Sequence, residues 1–161
     1  MTIKLFQGPQ RAHMNALTVW QPWATLIALG LKPWEFRGWP APRRHVGQRI
    51  AIHAAARHVN MQEVYALTLQ LDRGEKGAAL RAEALPFLRQ VLDGATTLPL
   101  RHIVCTARLG TPIRATELPP EWADRDRANP AMWAWPMEAV EPMVPPEPAT
   151  GAQGFWKWGG R

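Results

Sequence analysis

The chain is 161 residues long, 47% hydrophobic and 20% charged, figures that fit one soluble domain with its own core and leave no room for two. Sixteen Pro and 12 Gly exclude a helical bundle, because each Pro removes a backbone donor and helix interiors tolerate few of them. Cys105 is the only cysteine, which excludes an internal disulfide and a multi-cysteine zinc site.

No run of about 18 apolar residues marks a membrane span, and no basic-then-apolar leader marks a signal peptide. A cytoplasmic protein without membrane association is expected. The net charge of +6 is unevenly placed: residues 1–57 carry eight Lys or Arg against the single acid Glu35, whereas residues 58–161 are close to neutral. A basic first third suits a polyanion such as nucleic acid, although solvated arginine is also ordinary surface. Nine of the 14 aromatic residues are Trp. Eight of them cluster as Trp20 and Trp23, Trp34 and Trp39, Trp133 and Trp135, and Trp156 and Trp158, either to pack a small core or to stack nucleobases.

In chain order, residues 1–13 show no period and are expected to be an arm or a remnant left by cloning, with the ordered domain starting at Met14. Ala16 to Trp20 reads as a strand. The run QPWATLIALG reads as a short helix with Pro22 at its first position, Trp23, Leu26 and Ile27 on one face, and Gly30 as its stop. In LKPWEFRGW, Trp34 and Phe36 alternate with Glu35 and Arg37, so an extended chain puts the acid and the base on one face. Residues 48–54 alternate again, with Ile50 and Ile52 opposite Arg49, Ala51 and His53.

Residues 58–71 and 75–93 read as helices, the second charged and Ala-rich enough to be a surface insertion. Residues 101–109 form a strand with Ile103, Cys105, Ala107 and Leu109 on one side and Thr106 and Arg108 on the other. The tail reads as two strands, MWAWPMEAVEPM and GFWKW, broken at Pro136 and at the turn around Gly151 and Gly154. Short strands, few helices and many turns predict an α+β fold: a small mixed β-barrel, partly closed, with short helices packed at its ends.

No Walker A loop, dinucleotide glycine pattern, GxSxG elbow or HExxH is present, which disfavours nucleotide hydrolysis, nicotinamide chemistry and zinc proteolysis. The five histidines are scattered, none paired with another at metal spacing; no cofactor is expected. The dense cluster is Gly30, Lys32, Glu35 and Arg37, followed by His53. It is either a salt-bridge network or a set of ionisable groups meeting at one barrel mouth.

The run ALTVWQPWATLIALGLKPWEFRGW, the later GQRIAIHA, and the endings WAWPMEAV and GAQGFWKW together resemble the ASCH domain, a branch of the PUA-like superfamily. Its hallmark GxKxxExR stands here as Gly30, Lys32, Glu35 and Arg37. The resemblance covers about residues 14–158 within a single domain of 14–161, with a poorly matched helical insertion at about 70–97. It implies a PUA-like β-barrel with a cleft beside the hallmark. Many members are proposed to bind RNA or single-stranded nucleic acid, some to cleave RNA, and a subgroup to hydrolyse the amide of N4-acylated cytidines. That subgroup uses a Lys, a Thr three residues later, and a Glu on a later strand. Here Lys32 is kept, Glu35 stands at the place of the Thr, and Thr106 falls where the strand Glu would be.

Three readings follow. A binding module would hold phosphates with Lys32, Arg37, Arg43, Arg44 and Arg49, stack a base on Trp39 or a tail Trp, and draw on Trp23 and His53 for further ligand contacts. An amidohydrolase would use Lys32 as nucleophile or base, Glu35 as proton shuttle, and Thr106 as the third catalytic residue. A ribonuclease would use His53 or Lys32 to assist the 2′-hydroxyl. The first is ranked highest, with single-stranded RNA or a modified nucleoside or nucleotide as partner and a monomer as the expected state.

Overall fold

The computed structural model describes residues 13–124 and 129–159; the expected arm at 1–13 lies outside them except for His13. Seven strands, β1 Met14–Val19, β2 Trp34–Arg37, β3 Arg49–Ala54, β4 His102–Leu109, β5 Ile113–Arg114, β6 Trp133–Pro148 and β7 Phe155–Trp158, are accompanied by helices α1 Trp23–Ala28, α2 Met61–Asp72 and α3 Ala84–Leu92. They form one mixed sheet in the order β2-β6-β4-β3-β1-β7, with β5 paired to β6. β1 and β3 run parallel, and the remaining pairs are antiparallel. No described helix is long and apolar enough to cross a membrane.

The α+β class holds, but the expected barrel does not close, because the terminal strands β2 and β7 make no ladder with each other. One side chain spans the gap instead: Arg37 Nη2 of β2 donates to the Thr18 carbonyl of β1 at 2.9 Å, and on the far side the Thr18 amide donates to the backbone carbonyl of Gly154, at the turn before β7, at 3.1 Å.

Helix α1 is only six residues long, too short to persist without packing, and Trp23, Ala24, Leu26, Ile27 and Ala28 are all buried. Pro22 is its N-cap rather than its first helical residue, and Gln21 ties down the start: Gln21 Oε1 accepts from the Thr25 amide at 3.0 Å. Its end is a Schellman motif. Gly30 adopts φ +71°, its amide donates to Ile27 O, and Leu31 N donates to Leu26 O, both at 2.9 Å. A left-handed residue at this place is nearly free for Gly and strained for other side chains. The turn it makes delivers Lys32 and then β2.

Ile50 and Ile52 of β3 enter the main core with Leu17, Leu26 and Ile27, as alternation predicts. On β4 the alternation fails once. A register shift between Ile103 and Cys105 puts Ile103 in a separate cluster with Ala16 and Ala51, while Val104, Cys105, Ala107 and Leu109 enter the main core. Residues 75–83 are not helical, contrary to the 75–93 expectation. Ala78 instead bridges Asp124, and Leu80, Ala84, Leu88 and Val91 are buried in the main core, so this segment is not a surface insertion. Pro136 does not break the tail: β6 runs through it, since its carbonyl still accepts from Gly110 N and the next amide, Met137, donates to Pro33 O, both at 2.9 Å.

Candidate functional site

A cavity of about 230 Å³ occupies the opening that the sheet leaves between β1, β2 and the turn before β7. Trp20, Trp23 and Phe36 supply its aromatic walls; Lys32, Glu35 and Arg37 supply its charges; Thr18, Gln153 and Gly154 complete the rim. Two local patterns bring the charges together. The Gly30 turn throws Lys32 back toward α1, and strand alternation in β2 points Glu35 and Arg37 to one side.

Lys32 is 4% exposed and Glu35 8%, so both charges need partners. Lys32 Nζ donates to the Trp34 carbonyl at 2.5 Å, stands 3.8 Å from Glu35 Oε2, and lies 5.3 Å from the Trp23 ring centre and 4.9 Å from that of Phe36. A carbonyl oxygen, a carboxylate and two ring faces all attract an ammonium. Glu35 Oε1 accepts from Arg37 Nε at 3.0 Å, so one carboxylate sits between two cations and the cluster carries a net positive charge. Such a group can accept a hydrogen bond at Glu35 and donate from Lys32 and Arg37 to a planar ligand held between the rings.

The expected site residues separate into two sets. Lys32, Glu35, Arg37 and Trp23 line the cavity together. Thr106 does not join them: its hydroxyl accepts from Arg49 Nη1 at 3.0 Å, and Arg49 also donates to Ala139 O and pairs with Glu141 at 3.4 Å. Arg43 and Arg44 are exposed on a 3-10 turn outside the cavity walls. Trp39, 54% exposed, stands outside the walls too, its carbonyl accepting from Trp135 Nε1 at 3.0 Å.

His53 is 1% exposed and reaches the cavity only through Thr18. Its Nδ1 lies 3.1 Å from Thr18 Oγ1 and its Nε2 2.7 Å from Ala149 O; a carbonyl can only accept, so Nε2 carries a proton. Burial pushes the His53 pKa down, the Ala149 carbonyl partly opposes this, and His102 adds to the lowering. His45 is also buried, its ring 4.2 Å from Phe155, and burial followed by the Arg44 charge lowers its pKa. Burial pushes the Cys105 thiol up to about 12, with Arg49 opposing, which leaves it unreactive.

Thr18, Trp20, Gln153 and Gly154 are cavity residues that the motif does not contain. Trp20 carries a signal in the sequence, a Trp two residues beyond Thr18 and three before Trp23. The Gln153–Gly154 turn carries none, since only the pairing of β7 with β1 brings it to the cavity.

The ASCH domain family matches residues 17–98, just over half of the chain, and the chain belongs to that family. The matched stretch contains the whole Gly30–Arg37 segment and extends through residues 70–97, the stretch where the motif pattern fits poorly; the Trp-rich tail at 133–158 lies beyond it. No curated protein matches the chain.

Proposed function

We propose that the cavity binds a single nucleobase, drawn from single-stranded RNA or from a modified nucleoside or nucleotide. The observation that carries this reading is the Glu35 carboxylate, held between Lys32 and Arg37 in a cavity that Trp20, Trp23 and Phe36 also line. Stacking surfaces around a few fixed donors and acceptors are how unpaired bases are recognised. Glu35 would accept from an exocyclic amine, while the two cations would meet ring carbonyl or ribose oxygens. The cavity volume, about 230 Å³, is below the roughly 300–1,000 Å³ typical of drug-sized ligands, which suits one base with its sugar. ASCH membership is consistent with RNA binding, and the basic first third, with Arg43 and Arg44 exposed, supplies charge for further phosphates.

Hydrolysis of an N4-acylated cytidine would draw on the same Lys32–Glu35 pair. It ranks second because an amine nucleophile must be free of its proton, whereas the carboxylate and both rings around Lys32 Nζ attract the ammonium. Titration calorimetry with the four ribonucleosides, N4-acetylcytidine and a short single-stranded RNA tests the reading. Glu35→Gln should weaken binding about tenfold, the scale of a hydrogen bond to a charged group, and Lys32→Arg should keep much of the affinity. The absence of binding by wild type would refute it. Turnover of N4-acetylcytidine that Lys32→Arg abolishes would replace it with the hydrolase.

A further inference from the structure

We infer that Arg57, stacked on Trp20 at the mouth of the cavity, is a phosphate subsite, so that the cavity takes nucleotides in preference to nucleosides. The inference rests on the base-binding reading of the cavity and assigns the part of the ligand that lies outside it. The topology explains the pairing. β1 and β3 run parallel with Val19 opposite Ala54, and the Ala55 amide donates to Val19 O at 3.0 Å. The chain leaving β3 therefore runs beside the chain leaving β1, and the Arg57 guanidinium comes to rest 3.9 Å from the Trp20 ring centre.

Trp20 is a cavity wall and yet 55% exposed, which places it at the mouth. Stacking fixes the plane of the guanidinium but uses none of its N–H donors, which lie in that plane and point outward. Arg37, Arg49, Arg73, Arg89 and Arg108 each have a carboxylate partner. Arg57 makes no ion pair among the described residues, its partner there being the ring of Trp20. Inside, Lys32 and Arg37 already bond the Trp34 and Thr18 carbonyls and share the Glu35 carboxylate, which would repel a phosphate placed against it. A base seated against Glu35 must leave its sugar and phosphate at the mouth, where an oriented, exposed guanidinium stands within one ring of the cavity.

Calorimetry at low salt with the four ribonucleosides, their 5′- and 3′-monophosphates and inorganic phosphate tests this on wild type, Arg57→Gln and Arg57→Lys, with circular dichroism as the folding control. A monophosphate should bind wild type about tenfold or more tightly than its parent nucleoside, as a charge-assisted contact provides. Arg57→Gln should erase most of that gain and leave nucleoside affinity unchanged, and Arg57→Lys should retain part of it. Equal affinities of nucleoside and monophosphate for wild type would overturn the subsite while leaving the base-binding reading intact. So would an Arg57→Gln variant that weakens both ligands alike, because Arg57 would then only support the Trp20 ring. If no nucleoside and no nucleotide binds, the base-binding reading fails and the subsite with it.

Discussion

Glu35 concentrates the chemistry of the cavity, since its carboxylate pairs with both the buried Lys32 and the partly exposed Arg37. Removing it with Glu35→Ala would leave Lys32 and Arg37 close together without the carboxylate they share, and breaking a buried pair costs about 3–5 kcal/mol. A loss of roughly 3 kcal/mol in urea unfolding is expected, and a loss below about 1 kcal/mol would show a solvated, unimportant pair. The buried histidines set a pH dependence. His45 and His53 have pKa values below the ordinary histidine value in the folded protein, so the unfolded chain binds more protons below about pH 6.5. Stability is therefore full above that pH and declines as pH falls. Thermal unfolding followed from pH 7.5 to 5.5 should show a falling Tm, with a shallower slope in His45→Phe; a Tm that rises on acidification would contradict the assignment. At this scale the motif was legible, because Lys32, Glu35 and Arg37 lie within six residues. Thr106 was not placeable, because its partner Arg49 is 57 positions away and only the pairing of β3 with β4 joins them.

Among the elements, those with a local cause were readable: the Gly30 stop of α1, the alternation of β2 and the Ile50–Ile52 face of β3. Elements decided by neighbours were not. The shift at Ile103 belongs to the pairing of β4 with β6, and Pro136 is accommodated by hydrogen bonds from Gly110 and Met137, none of which leaves a local trace. The turn before β7 is a second such case. Gly151 has φ +71°, and a Cβ there would overlap the His53 ring. Thr18 Oγ1, which accepts from Trp156 Nε1 at 3.0 Å and donates to Ala152 O, joins that turn to His53. Gly151→Ala should lower stability by about 1–3 kcal/mol through strain and weaken base binding by displacing Gln153 and Gly154. Unchanged stability together with unchanged affinity would show that the turn does not depend on this packing.

For the whole molecule, the open seam of the sheet is the feature that the alternation patterns could not reveal. They show which face of a strand is buried but not whether the terminal strands meet, and the cavity lies where they do not. Charge at this scale belongs to the first third of the chain. Binding of single-stranded RNA should weaken as salt rises, and Arg43→Ala with Arg44→Ala should flatten the logarithmic salt slope by roughly 0.7 for each phosphate no longer neutralised, for all sequences alike. A slope unchanged by the double substitution would remove these residues from the path of the RNA.

The base-binding claim is tested most directly by the indole N–H signals of 15N-labelled protein during titration with the tightest-binding nucleotide, assigned by Trp→Phe substitutions. The cavity predicts that the Trp20 and Trp23 signals shift with saturation while those of Trp122 and Trp158, which do not line it, stay in place. Saturable shifts at Trp122 or Trp158 with Trp20 and Trp23 unmoved would place the ligand elsewhere and contradict the claim.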